Sequence, residues 1–191
     1  MQRSICLTIC FLFLIGLGAA KAEDRVGQLS LLYPAQVFDS DDDISGVRLD
    51  LLYGVNNSVH GLDLGIVNQT VTDQIGVQFG VVNRVHGFVN GWQGGVVNIV
   101  DREFVGVQVG AFNDVKGDFI GVQNGGVNIV KGDFNGMQTG IFNSVDQRME
   151  GVQIGLINRA SVLDDALQIG LLNYNDSMHP LGFFPIVNCS F

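Results

Sequence analysis

The residues that most often carry chemistry are few in this chain of 191 residues. Its three histidines, His60, His86 and His179, lack the close paired spacing by which zinc ligands are recognised. We interpret His60 and His86 as exposed turn residues. No nucleophile elbow is present, and the pairs Gly94-Gly95 and Gly125-Gly126 recur in register with a repeat, which indicates structural glycines rather than a phosphate-binding loop. The sequence predicts no catalytic residue, and we expect a protein that is not an enzyme.

A run of carboxylates between Asp39 and Asp43 is the other candidate for chemistry. Calcium loops interleave acidic ligands with glycine at set positions, and that pattern is missing around these aspartates. We therefore interpret the run as a solvated turn. The sequence predicts no metal ligand, no cofactor-binding residue and no cofactor.

A tandem repeat with a constant period of 15 residues is the element that must position every side chain. Its unit reads G-x-Q-x-G-x-x-N and begins at Gly46. The closing asparagines are Asn68, Asn83, Asn98, Asn113, Asn128, Asn143, Asn158, Asn173 and Asn188. A fixed period this short indicates that each copy is one supersecondary unit, stacked on or paired with its neighbours.

Each copy has a half typical of a strand and a half typical of a turn. From Gly106 to Asn113 apolar residues alternate with other residues, and β-branched side chains are frequent, which favours a strand. The following residues supply the glycine and aspartate of a turn. A phenylalanine of a type usually buried then follows, as at Phe104, Phe119 and Phe134.

The first architecture that fits is a mainly β, single-domain β-solenoid, in which each copy is one coil and neighbouring coils pair in parallel. Equivalent residues would then stack at about 4.8 Å. The glutamines from Gln78 to Gln168 would form one column of amides and the asparagines a second, since an amide both donates and accepts a hydrogen bond. The first glycine of each copy would lie where the backbone turns or approaches closely. The coil must also bend near Gly110 if Val107 and Phe112 are both buried.

The alternative is an antiparallel outer-membrane β-barrel with one strand per repeat. The segment 47–53 alternates apolar with polar residues, and the chain ends on Phe191, which resembles the end of such barrels. Three observations favour the solenoid. All connections have equal length, antiparallel pairing would not align the glutamine and asparagine columns, and one Trp with three Tyr is few for two aromatic girdles.

Several copies depart from the consensus. Arg48 and Asp63 stand in the glutamine column, and we interpret them as a solvated edge of the array. Trp92 replaces an aliphatic residue, and we expect it to fill the core. Ala166 replaces a glycine and the last copy, 181–188, is degenerate, so both are expected to cap the array. The outward residues, such as Arg84, Asp114, Ser144 and Arg159, would carry any binding specificity.

The remaining organisation is read from composition. Residues 1–22 have the layout of a secretory signal peptide, residues 23–45 lead into the repeats, and residues 46–191 form the repeat domain. The formal net charge of −9 argues against nucleic acid as a partner. Cleavage after residue 22 would leave Cys189 as the one cysteine, so no disulfide within the chain is expected.

Copies such as Gly151 to Asn158, with the closing segment from Phe183 to Asn188, resemble a family of bacterial surface-repeat proteins known from Leptospira and other bacteria. The resemblance implies export and a location at the cell surface or outer membrane, and the family offers no catalytic residues. We therefore expect an exported cell-envelope protein with a structural or adhesive binding role. Its partner would be an envelope or extracellular ligand, with membrane association left open. The alternative function is that of an integral outer-membrane barrel serving as an anchor or narrow pore.

Overall fold

The computed structural model describes residues 25–178 and 182–191. These residues form strands and turns without a helix, and the strands wind into a solenoid of about eight turns. The predicted β-solenoid is therefore confirmed.

The strands follow the repeat along the chain. Their bounds are β1 (Arg25–Leu32), β2 (Ala35–Gln36), β3 (Ile44–Asn56), β4 (Val59–Thr70), β5 (Gln74–Phe79), β6 (Val82–Val85), β7 (Val89–Gly94), β8 (Val97–Val100), β9 (Phe104–Val115), β10 (Phe119–Val130), β11 (Phe134–Asn175) and β12 (Phe183–Ser190). The great length of β11 arises because strand conformation continues around the turns of the last three copies.

Successive coils pair in parallel and, through the middle of the array, without a register shift. Strand β10 pairs with β9 on one side and β11 on the other, so that Gly121 lies between Gly106 and Gly136. Residues 15 apart are therefore neighbours, as a solenoid requires. A barrel with one antiparallel strand per repeat would need neighbouring strands to alternate in direction, so that alternative is wrong.

The two ends of the array are built differently. At the start, β1 pairs in parallel with β3, and β2 folds back antiparallel on β1. At the other end, β12 returns antiparallel to β11, with Asn188 opposite Gln168. The last degenerate copy is therefore not a further coil. The prediction that Asn188 extends the asparagine column is wrong, because the reversed strand places it at the end of the glutamine column.

Two columns of buried amides run through the interior, as the sequence predicts. In the Gln ladder (Gln78, Gln93, Gln108, Gln123, Gln138, Gln153, Gln168), the Nε2 of each residue from Gln93 onward donates to Oε1 of the preceding coil at 2.7–2.8 Å. In the Asn ladder (Asn68 to Asn173 in steps of 15), the Nδ2 of each residue from Asn68 to Asn158 donates to Oδ1 of the following coil at 2.8–2.9 Å. The same Nδ2 also donates to a backbone carbonyl of that coil at 2.8–3.1 Å. Both amide protons of each residue from Asn68 to Asn158 are thus paired, and Asn173 Nδ2, at the end of the ladder, donates to the carbonyl of Gly170 at 3.1 Å.

Two apolar columns complete the core. One consists of valines, including Val85, Val100 and Val115, and the other contains Phe104 and Phe119, all fully buried. The rings of Phe104 and Phe119 stack with centroids 4.9 Å apart and planes inclined by 3°. The prediction that the phenylalanines of the turn half are buried is confirmed.

The first glycine of each copy is required by the close approach of neighbouring coils. Gly106 has a φ of 133°, which L side chains rarely adopt. A Cβ at this position would also overlap the carbonyl oxygen of Gly91 in the preceding coil. The prediction of tight backbone approach in this column is confirmed.

The bend near Gly110 serves a different purpose from the one predicted. Val107 is exposed and Phe112 is half-buried, so the expectation that both enter the core is wrong. The adjacent residues Ala111 and Phe112 both point outward, and this break in alternation allows Gln108 and Asn113 to point inward. The bend therefore brings the two amide ladders into one interior.

We predict that Asn113→Ala lowers the free energy of unfolding by roughly 1–3 kcal/mol, because buried polar groups lose their partners. The substitution removes the acceptor for Asn98 Nδ2 and the donor for Asn128 Oδ1. Urea denaturation followed by circular dichroism measures the change. The matched control is Asn90→Ala at an exposed position, with an expected change within about 0.5 kcal/mol. Equal stabilities of the two variants would contradict a buried, coupled ladder.

Candidate functional site

One side of the solenoid is a largely apolar sheet, called here the apolar face, which is interrupted by the hydrogen-bonded side chains of Asn124 and Thr139. It consists of three outward columns, which run in steps of 15 from Val47 to Leu167, from Leu49 to Ile169 and from Ile66 to Leu171. None of these positions holds Asp, Glu, Lys or Arg. Its valines, isoleucines and leucines include many that are more than a third exposed, such as Val109 at 37 % and Val96 at 51 %. A water-facing surface made in this way is a candidate binding site.

Trp92 belongs to the apolar face, so the prediction that it fills the core is wrong. Its side chain is 45 % exposed, because its repeat position alternates outward next to the inward Gln93. The Trp92 ring packs edge-to-face against Phe79, with centroids 5.1 Å apart and planes inclined by 67°. Gly94 and Gly95 lie beside the two rings and leave a shallow apolar depression there. The apolar face therefore has a packed aromatic pair with a shallow depression beside it.

A second side of the solenoid carries the charges. His86, Asp101 and Lys116 share one repeat position, and the parallel stacking brings them into contact. Asp101 Oδ2 lies 2.6 Å from His86 Nδ1, and Asp101 Oδ1 lies 2.6 Å from Lys116 Nζ. Burial opposes ionisation of Asp101, but the hydrogen bonds from Lys116 and His86 outweigh it and lower the pKa of this carboxyl. Sequence analysis missed the cluster, although the 15-residue spacing of its members was the signal.

The geometry of this cluster suits an ion pair better than a catalytic site. The other ring nitrogen of His86 lies 3.2 Å from Nε2 of Gln69, so its described polar contacts lead to Asp101 and Gln69. A hydrolytic site would need a hydroxyl or thiol nucleophile at that nitrogen. We conclude that the cluster ties neighbouring coils together.

Arg48 and Asp63 form a buried ion pair, so the prediction of a solvated edge is wrong. Arg48 Nε donates to Asp63 Oδ1 at 2.7 Å, and Arg48 Nη2 donates to Asp63 Oδ2 at 2.6 Å. Both side chains are inaccessible to water. Burial alone would lower the pKa of Arg48, but the charge and hydrogen bonds of Asp63 reverse this, and the pKa is raised. Asp63 Oδ2 also accepts from Gln78 Nε2 at 2.7 Å, so the pair terminates the Gln ladder.

Asp50 lies beside this pair and at the end of the Asn ladder. Its carboxyl group occupies the space over Gly54, the register partner of Asn68. Neither the carboxyl oxygens of Asp50 nor Oδ1 of Asn68 has a hydrogen-bond partner among the described residues. Burial raises the pKa of Asp50 to about 7, although the positive charge of Arg48 lowers it. Arg48 Nε lies 3.1 Å from Asp50 Oδ2. A protonated Asp50 would bring a donor to a site where the Asn ladder lacks one.

The other residues considered in the sequence are dispersed. His60 is exposed in strand β4 rather than in a turn, and the Asp39–Asp43 run contains a turn, as predicted, near Arg25, which pairs with Asp42. Ser144 is buried, so it does not belong to the outward set predicted with Arg84. His179 and the segment 1–22 lie outside the described residues. Across residues 25–178 and 182–191 no cluster of three His, Cys, Asp or Glu side chains could hold a metal ion.

Comparisons with known proteins add no assignment: the sequence matches no family model, no curated protein and no solved structure. In the described part of the chain, no helix is long and apolar enough to cross a membrane.

We predict that the stability of the protein falls between about pH 4 and pH 7 through Asp50. The folded-state pKa of about 7 lies above the usual 3.8, so the folded state binds more protons in this interval. Below the usual pKa of 3.8, protonated Asp50 contributes its full amount to the free energy of unfolding. This contribution is lost as the pH rises to the folded-state pKa of about 7. The slope approaches 1.4 kcal/mol per pH unit at most, about the free energy of one pKa unit. Chemical denaturation at a series of pH values measures it.

The matched variant is Asp50→Asn, which has no ionisable group at this site. Its stability relative to wild type should rise steadily across the interval. Asp41→Asn, at an exposed carboxyl, should keep the wild-type pH dependence. A wild-type profile that is parallel to that of Asp50→Asn would show that Asp50 is ionised at all these pH values in the folded protein.

Proposed function

We propose that this chain is a non-enzymatic, exported protein of the cell envelope, placed at the cell surface or outer membrane, with a structural or binding role. The observation that carries the proposal is the apolar face, whose columns from Val47 and Leu49 run the length of the array without a charged residue. We propose that this face is the surface through which the protein acts.

The size of the apolar face supports a binding role. About eight turns spaced by ~4.8 Å give a length of about 40 Å. Five residues of strand, from Val107 to Ala111, span about 13 Å, so the face covers ~500–600 Å². The largest apolar patch of a typical monomer is ~300–600 Å² and is often functional. The apolar face therefore lies at the upper end of that range.

The two polar clusters, Arg48 with Asp63 and Asp101 with its partners, stabilise the solenoid. We therefore assign the function of the protein to binding through the apolar face. Arg48 and Asp63 are closed to water and hold the end of the Gln ladder. Asp101 and its partners bridge coils on the charged side. The charged side also gives the protein a surface compatible with water while the apolar face is covered.

Export is supported by the sequence of residues 1–22, in which an apolar run follows Arg3 and ends in small residues at Ala19, Ala20 and Ala22. The resemblance of the repeats to bacterial surface-repeat proteins points in the same direction. An envelope ligand or an extracellular ligand would then be the natural partner of the protein.

Cell fractionation tests the proposal. Bacteria expressing the full chain should carry the protein, shortened by about 20 residues at its N-terminus, in the envelope fraction. Val107→Lys should shift it towards the soluble exported fraction, because a lysine on the apolar face opposes burial. Val107 is 38 % exposed. The matched control is Val162→Lys, at a valine 43 % exposed away from the apolar face, and it should fractionate like wild type.

Retention of the wild-type protein in the cytosol, with its N-terminus intact, would overturn export. Equal envelope retention of Val107→Lys and wild type would show that the apolar face does not mediate the association. Circular dichroism of the purified variants checks that both substitutions leave the solenoid folded.

A further inference from the structure

We infer that the apolar face binds a second copy of this chain, so that two solenoids pack face to face in a two-fold dimer. The inference rests on the proposed function, since it names the partner of the same face. Four properties of the face lead to it: its area, the arrangement of its aromatic rings, the position of the charges and the distribution of side-chain size.

The area fits a dimer. A face of ~500–600 Å² on each copy would bury ~1,000–1,200 Å² in total, which reaches the lower range of specific protein interfaces. The three columns of the apolar face continue to the last coil, where Leu171 is 65 % exposed. Two sheets stacked at ~10 Å would therefore share one interior along their whole length, apolar except at Asn124 and Thr139.

The aromatic residues argue against a carbohydrate surface as the occupant. Sugar rings stack on aromatic rings that present open, flat faces. Phe79 and Trp92 are instead packed edge-to-face with planes inclined by 67°, so they do not form a common flat platform. This arrangement matches the packing of aromatic side chains inside a protein interior.

The distribution of charge favours a protein copy over a lipid surface. The formal net charge is −9, and the salt bridges centred on Asp101 and Arg159 lie at repeat positions outside the apolar face. Helices and strands that rest on membranes are typically flanked by Lys and Arg, which bind anionic headgroups. Two copies joined by their uncharged faces keep their like charges on opposite outer sides.

One possible two-fold axis runs parallel to the strands, across the apolar face and through Val109. This axis brings large side chains of one copy opposite small side chains of the other. If the copy that begins at Gly46 is counted as the first coil, this axis reverses the order of coils in the second copy, so the third coil faces the seventh and the fourth faces the sixth. The large Phe79 then faces the small Thr139, and Val96 faces Gly126. Gly94 faces Asn124 in the same way. An axis along the solenoid would instead place Phe79 against Phe79, where the two rings would clash. It would also place Gly94 against Gly94, where the interface would have a void.

Sedimentation equilibrium of the purified full chain tests the inference, with Val109→Lys as the decisive variant. Wild type should be dimeric at micromolar concentration. Val109 lies at the two-fold axis, so Val109→Lys brings two lysines together and should raise the dimer dissociation constant by roughly 100-fold or more. Val162→Lys, away from the face, should remain dimeric.

Cross-linking tests the arrangement of the pair. In a background with Cys6, Cys10 and Cys189 replaced by Ser, chains carrying Phe79→Cys and chains carrying Thr139→Cys are treated with a short bis-maleimide, which spans facing side chains of sheets ~10 Å apart. The mixture should give a cross-linked dimer that neither chain gives alone. Cross-linking of Phe79→Cys to itself would overturn the antiparallel arrangement.

The outcomes separate this inference from the proposed function. A monomeric wild type, or a Val109→Lys protein as dimeric as wild type, would overturn the dimer. If the wild type is monomeric while Val107→Lys still loses envelope retention, the face binds another partner and the proposed function stands. Sedimentation of monomeric wild type with phosphatidylcholine vesicles would identify that partner as a lipid surface and would equally overturn the dimer.

Discussion

Hydrogen bonds between identical side-chain amides one coil apart are the constraint on which the rest of the molecule depends. Such a bond tolerates only a few tenths of an ångström in length, so Gln108 must lie in register with both Gln93 and Gln123. One added residue in any coil would turn the inward side chains outward. The constant period of 15 residues follows from this requirement. The glycine column, with its positive φ at Gly106, follows from the close approach of coils that the same bonds demand.

The direction of the two ladders explains the residues at both ends of the array. Gln ladder amides donate towards the N-terminal coils and Asn ladder amides towards the C-terminal coils, so their dipoles oppose each other. The Gln ladder begins on Asp63, a carboxylate that can only accept when ionised, and ends on Asn188, whose amide donates to Gln168. Departures from the repeat thus occur where a ladder needs a different donor or acceptor. Arg48 is the counter-ion that offsets the desolvation cost of the buried Asp63 carboxylate.

Because the interior is closed by amides, valines and phenylalanines, the outward positions are free to differ between the two sides. One side collects ion pairs around Asp101 and Arg159, and the other collects apolar side chains around Val109. The contrast is independent of the core, since the outward residues of a strand alternate with the inward ones. The same alternation that builds the ladders therefore produces one largely apolar surface and one charged surface.

The sequence by itself determined the architecture. The period of 15 residues and the columns of Gln, Asn and Gly predict stacked parallel coils, and with them the neighbours of Gln108, Asn113 and Gly106, because residues in register must touch. It did not determine which way each column points where alternation breaks. Alternation with the inward Gln108 and Gln93 places Val107 and Trp92 outside, whereas the sequence predicts both inside. Nor did it show that Asn188 would return antiparallel, or that Arg48 and Asp63 would be closed to water. Only the tertiary structure decided these points, because burial depends on how the bends and the ends of the chain close over the core.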